Sequence, residues 1–246
     1  MKAILNLKQY VVLLIAAFAM TSCLDSEDDP FQFILGSGYV QQVIVSGGEE
    51  GEPVVSEFTP IIIVAANEAI VSCSGTLPSG SKFSMTQSTS MPYYWITNTS
   101  LMMPSSTIPS GTFTISGSNQ EGETATAPIS VNNTTEMKTK LVGDIQFENN
   151  TIKAEFNKVE NATNYIILLK PKKSNSYFES SPIANYSASQ LEASNWKVSI
   201  DQNTYSSKIS GFAAGTYYLT IAASINSSSL PVLYQESSKT AVFEIK

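Results

Sequence analysis

The chain is made of short stretches in which apolar, mostly β-branched residues alternate with polar ones or run together, each stretch cut off by Gly, Pro, Asn or Ser. A period of two places every second side chain on one face of a strand, so the pattern specifies strands and leaves no place for long helices. Val40–Val45 and Val54–Phe58 flank the turn-rich segment Ser46–Gly51 as a hairpin. Pro60–Ala65, Ala69–Cys73, Phe83–Gln87, Tyr93–Thr97, Gly111–Gly117 and Ala125–Val131 follow as further strands. Seven or eight strands in roughly a hundred residues describe a β-sandwich. After the first thirty residues, only Ser187–Ala193 carries helical character, for a turn or two.

Charge divides the chain. Residues 31–137 hold Lys82 as their one base against a scatter of glutamates, whereas lysines outnumber acids in 138–246. A change of that size marks a domain boundary, with a polar link in Asn132–Lys140. The sequence has no His and no Arg, and its net charge is −7. Without His there is no proton shuttle near neutral pH and no common zinc ligand. Without Arg there is no bidentate phosphate fork, and an acidic chain makes a poor nucleic-acid partner.

The first thirty residues are organised differently. Lys2 and Lys8 precede the apolar run Tyr10–Ala19, which is too short to span a bilayer, and Met20-Thr21-Ser22-Cys23 follows. This resembles a lipobox, which implies removal of residues 1–22 and acylation of Cys23. Several acyl chains at ~0.8 kcal/mol per buried CH₂ hold a protein to a membrane stably. Residues 23–30 then comprise the lipidated Cys and an acidic tether, Leu24-Asp-Ser-Glu-Asp-Asp-Pro30, similar to the export signal of Bacteroidetes-type surface lipoproteins. The resemblance implies an outer-membrane, cell-surface location. With Cys23 acylated, Cys73 has no disulfide partner, and its strand-like setting reads as a buried thiol.

Two further resemblances concern the modules. Gly111–Val131 resembles the last two strands of Ig-like and PKD-like domains, which implies an Ig-like sandwich over 31–137. In 138–246, Phe156, the Ala162-x-x-Tyr165 motif and Gly215-Thr-Tyr217 together resemble a fibronectin type III domain. Alternation puts Tyr217, Leu219, Ile221 and Ala223 on one strand face, and the resemblance makes Tyr217 a tyrosine corner, with Tyr218 as an alternative. Gly111-Thr-Phe113 and Gly215-Thr-Tyr217 lie one module apart, so the expected fold is all-β, two tandem Ig-like β-sandwiches.

No catalytic set can be assembled. No Gly-x-Ser-x-Gly elbow is present, and Ser206-Ser207-Lys208, or Ser174 near Lys172 and Lys173, are neighbours by composition alone. Glu49, Glu50 and Glu52 read as solvated turn carboxylates. The expectation is no enzyme, no cofactor and no metal. The candidate ligand-binding residues are aromatic: Tyr94 and Trp95 in one group, Tyr177, Phe178 and Trp196 in another. Aromatic rings stack on the apolar faces of sugars, which makes a polysaccharide one partner and a surface protein the other; a structural or anchor subunit of a fimbria-like assembly is the alternative. Cys23→Ser is expected to move the protein from the membrane to the soluble fraction on cell fractionation; a variant that stays with the membrane contradicts the anchor.

Overall fold

Alternation in Gly111–Ser118 translates directly into packing: Phe113, Ile115 and Gly117 point inward and are buried, while Thr112, Thr114 and Ser116 are exposed. The computed structural model describes residues 29–47, 54–88, 94–171, 178, 180–227 and 230–246. Of the segment Met1–Pro30 only Asp29 and Pro30 are described, both exposed, and Phe31–Lys246 is one compact unit.

The first seven strands are β1 (Phe33–Ser46), β2 (Val55–Ala66), β3 (Ser72–Thr76), β4 (Lys82–Gln87), β5 (Trp95–Thr97), β6 (Gly111–Ser118) and β7 (Thr124–Val131). They pair in the order β1-β2-β5-β4 and continue β3-β6-β7, with β4 bonded to both β5 and β3 where the sheet turns its corner. Val40, Phe58, Ile62, Val64, Phe83, Met85, Phe113, Ile115, Ile129 and Val131 fill the space between these layers. Pro60 lies inside β2, opposite Val40. The Val54–Phe58 and Pro60–Ala65 stretches are therefore one strand. Pro60 is accommodated because its position opposite Val40 is one that needs no N–H toward β1.

The remainder comprises β8 (Asp144–Glu148), β9 (Thr151–Glu155), β10 (Asn164–Lys170), β11 (Ser181–Ser187), α1 (Ala188–Ala193), β12 (Lys197–Asp201), α2 (Gln202–Ile209), β13 (Gly215–Ser227) and β14 (Leu230–Ile245). A three-stranded layer, β12-β9-β8, faces β11-β10-β13-β14 across a core that includes Ile145, Ile152, Tyr165, Ile167, Leu169, Leu219 and Ile221. The fold is an all-β sandwich architecture, as expected. Helix α1 starts at the Ser187 capping box with Gln190. Helix α2 corrects the expectation of a single short helix. Its N-cap is Asp201, whose carboxylate accepts from the backbone N–H and hydroxyl of Thr204, and its anchor is Tyr205, buried against Phe147 and Phe243. Those two backbone and side-chain bonds to Thr204 hold the Asp201 carboxyl below its ordinary pKa.

The two halves meet along β1 and β14, which pair in parallel at Val40↔Leu233 and Gln41↔Tyr234. One sheet of eleven strands results. The connecting residues 132–143 carry no helix or strand, yet their backbone is bonded by side chains. Gln42 Nε2 donates to the Met137 carbonyl (2.7 Å) and Gln42 Oε1 accepts from the Met137 N–H (3.1 Å). Gln235 Oε1 accepts from the Leu141 N–H, and its Nε2 donates to the Thr139 carbonyl (3.3 Å). Asn157 holds the Val142 N–H and the Lys140 carbonyl in the same way, at 2.7 and 2.8 Å. Met137 and Leu141 insert into the core. At Gly143, an added Cβ would lie 2.6 Å from the Glu155 carbonyl oxygen and 2.0 Å from Ile221 Cδ1, so this end of the connection tolerates no side chain. What reads as a polar link in sequence is a stapled seam.

Truncating either glutamine leaves buried backbone groups unsatisfied, at about 1–3 kcal/mol each. For a chain of this size Gln42→Ala or Gln235→Ala lowers the unfolding midpoint by roughly 2–10 °C. Scanning calorimetry of the parent protein is expected to give a single transition; two resolved transitions would show that the halves unfold independently.

Candidate functional site

Leu233 and Gln235 of β14 point into the sandwich, so alternation turns Tyr234 and Glu236 onto the opposite face of the long sheet. On β10 the same rule sends Tyr165, Ile167 and Leu169 inward and Ile166, Leu168 and Lys170 outward. Tyr39 of β1 is a neighbour across the seam. These residues form one cluster on that outward face. The Tyr39 ring lies 5.4 Å from Tyr234, edge to face, and 5.2 Å from Phe178. Lys170 Nζ is 2.6 Å from both oxygens of Glu236, and the Tyr234 hydroxyl donates to Glu236 Oε2 at 2.7 Å. The side chains of Lys170 and Glu236 are 2% and 10% exposed.

Taking two charges out of water costs several kcal/mol per ion, which is recovered only when geometry and further hydrogen bonds are good. Here the carboxylate receives the ammonium on both oxygens and a phenol on one. The resulting unit is neutral, hydrogen-bonded and walled by three aromatic rings, at the junction of the two halves. Tyr39 and Tyr234 are fully buried, so the pair is a packed polar unit, and the half-buried Phe178 is its accessible edge. The ammonium is thus committed to a carboxylate that also accepts the Tyr234 phenol.

Phe178 is thus the predicted aromatic that the fold brings to the seam, where its ring packs on Tyr39; Tyr39, Tyr234, Lys170 and Glu236 were not singled out from sequence. The alternation of β10 carried a signal for Lys170, the one charge ending the apolar run Tyr165–Leu169. Trp196 goes elsewhere. It is half-buried, with its ring 5.3 Å from Tyr165 and its carbonyl accepting the Phe156 N–H at 2.8 Å. Asn195 and Trp196 both have positive φ, +54° and +60°, so the chain leaves α1 through a left-handed turn that aims the indole at the core. Trp95 is half-buried on β5 and packs against the core of the first half; Tyr94, also half-buried, has its phenol pKa pushed up by burial. No described ring contact joins Trp95, Trp196 and Phe178. Tyr177 and Glu49, Glu50 and Glu52 lie outside the described residues. The Cys73 thiol donates to Met85 sulfur at 3.4 Å, and burial pushes its pKa up to about 12, so it stays protonated.

No protein-family model matches the chain, and no curated protein matches it. Among solved structures, the chain is similar to a "putative carbohydrate binding protein" from Bacteroides uniformis, with 11% identity and a TM-score of 0.29, over 85% of this chain and 99% of that one. Nothing about the ligand of this chain follows from a likeness at that level.

The cluster makes a stability prediction with a sign. Lys170→Met or Glu236→Met alone strands a buried group and is expected to cost about 3–5 kcal/mol in denaturant unfolding. The double variant Lys170→Met/Glu236→Met recovers most of that loss. If the two single losses simply add, the charges are not coupled as described.

Proposed function

We propose that this chain is a lipid-anchored, surface-displayed binding or accessory protein without catalytic activity, built of two tandem Ig-like modules, 31–137 and 138–246. The strand orders support the module reading. In the first half β1-β2-β5-β4 opposed by β3-β6-β7 matches the ABED and CFG layers of an Ig constant-type sandwich. In the second, β12-β9-β8 opposed by β11-β10-β13-β14 has the arrangement of a fibronectin type III module. The Tyr217 hydroxyl donates to the Ala213 carbonyl at 3.0 Å, the bond of a tyrosine corner. Gly111 and Gly215, with φ of +125° and +155°, open the penultimate strand of each module in a conformation that suits glycine.

The anchor reading rests on Cys23. Between it and Phe31, where the compact unit begins, the chain can reach no more than about 28 Å. The observation that carries the binding role is Phe178, a half-buried ring held against the buried Tyr39 at a rigid seam. An aromatic ring on a fixed, hydrogen-bonded base suits the apolar face of a saccharide.

The test is a glycan array probed with the mature acylated protein in detergent, followed by titration of any hit against Phe178→Ala. Saccharide binding that weakens at least tenfold in the variant supports the proposal. Absence of glycan binding, together with an SDS-resistant, heat-labile ladder on gels, would replace it with an assembly subunit.

A further inference from the structure

The edges of the sheets are treated unequally. The outermost strands of the long sheet carry proline, Pro182 in β11 and Pro128 in β7, and those of the short sheet carry charges, Lys197 and Asp201 in β12 and Asp144 and Glu148 in β8. These are the usual devices that stop an edge from pairing with another chain. The N-terminal part of β1, Ile34-Leu-Gly-Ser-Gly-Tyr39, has neither. One side of β1 pairs with β2 along its length, whereas β14 covers the other side only at Val40 and Gln41.

The direction of the backbone groups there follows from the neighbours. Phe58 of β2 exchanges both its bonds with Ser105, and Ile62 N–H donates to Thr97 Oγ1, so both residues face away from β1. In an antiparallel ladder such residues sit opposite partners that also face away. The register is unbroken from Gly36 to Gln42, with Gln42↔Phe58, Val40↔Pro60, Gly38↔Ile62 and Gly36↔Val64. Val40 and Gln42 therefore turn toward β14. Gly36 and Gly38 turn their N–H and C=O groups to the same side, with no strand partner among the described residues. They open into a cleft of about 290 Å³ whose other walls include Pro128 and Ser130 of β7 and Leu230 and Pro231 of β14. Its lining is uncharged, Gly36, Pro128 and Ser130 are exposed, and the two glycines offer backbone without Cβ atoms.

We infer that this cleft accepts an extended, uncharged polypeptide segment from a partner protein, which adds to β1 as a strand by pairing with Gly36 and Gly38. Donors and acceptors repeating every second residue, about 6.8 Å apart, match a β-strand and no other common ligand. Leu230 and Pro231 limit the added strand at one end, because β14 takes over the same edge of β1 from Val40 onward. This site is distinct from the aromatic cluster and does not depend on the saccharide reading.

The probe is a capped nonapeptide of alternating threonine and valine, added to the isotope-labelled protein while amide hydrogen exchange is followed by NMR. In the free protein the Gly36 and Gly38 amides exchange fast. Saturating peptide is expected to slow both at least tenfold, and Ser130→Lys, a charge placed in the cleft wall, weakens peptide binding at least tenfold with the fold intact. The same peptide N-methylated at alternate residues, unable to complete the ladder, is expected to give no protection. The inference is overturned if Gly36 and Gly38 are already protected in the free protein, if millimolar peptide leaves them unchanged, or if the N-methylated peptide or maltohexaose protects them equally well.

Discussion

Two glutamine side chains do the work of a missing strand. Gln42 and Gln235 each present an amide to the connecting backbone and bond it by its N–H and C=O groups, as a neighbouring strand would. Buried backbone groups must be paired somewhere, and residues 136–142 join no sheet although Met137 and Leu141 are buried. Each glutamine sits on a core-facing position of the two strands that pair in parallel, so one pair of strands both joins the sheets and satisfies the connection. Remove that arrangement and Met137 and Leu141 lose their place in the core.

The rest of the molecule depends on this seam. The parallel contact of β1 with β14 fixes which residues oppose each other across the junction, and hence brings Tyr39 to Tyr234 and Phe178. It also ends at Val40, which leaves Gly36 and Gly38 open on the same edge. The contacts of Tyr39 and the cleft are both consequences of where β1 and β14 start and stop pairing, whereas the charged pair is set by β10, β13 and β14 within the second half. A flexible link between the halves would leave neither the Tyr39 contacts nor the cleft with a defined geometry.

Much of the fold was legible in the residues because period two is a local signal. Gly111–Ser118 and Gly215–Ser227 show their buried faces in the sequence, and the glycine before each aromatic marks a turn with positive φ. Helix α1 falls where a turn or two was expected, over Ser187–Ala193. Helix α2 was missed because its support is tertiary: Tyr205 has no helical pattern to belong to, and its partners Phe147 and Phe243 come from distant strands. Polar residues in the link read as solvated, and some were instead bonded to glutamines far away in the chain. The site was hidden for the same reason. Tyr39, Lys170, Tyr234 and Glu236 come from three strands, and nothing local says that they meet; Phe178 was found as one of a group of aromatics, but its neighbour Tyr39 was not.

Native-state hydrogen exchange at the seam tests the central claim most directly. If the connection is an integral part of one cooperative unit, the amides of Met137 and Leu141, bonded to Gln42 and Gln235, exchange only through global unfolding, with the free energy measured for the whole chain. Exchange of these two amides through a low-energy local opening, while β10 and β13 remain protected, would mean that the halves are joined by a loose link and that the seam does not set the geometry of the site.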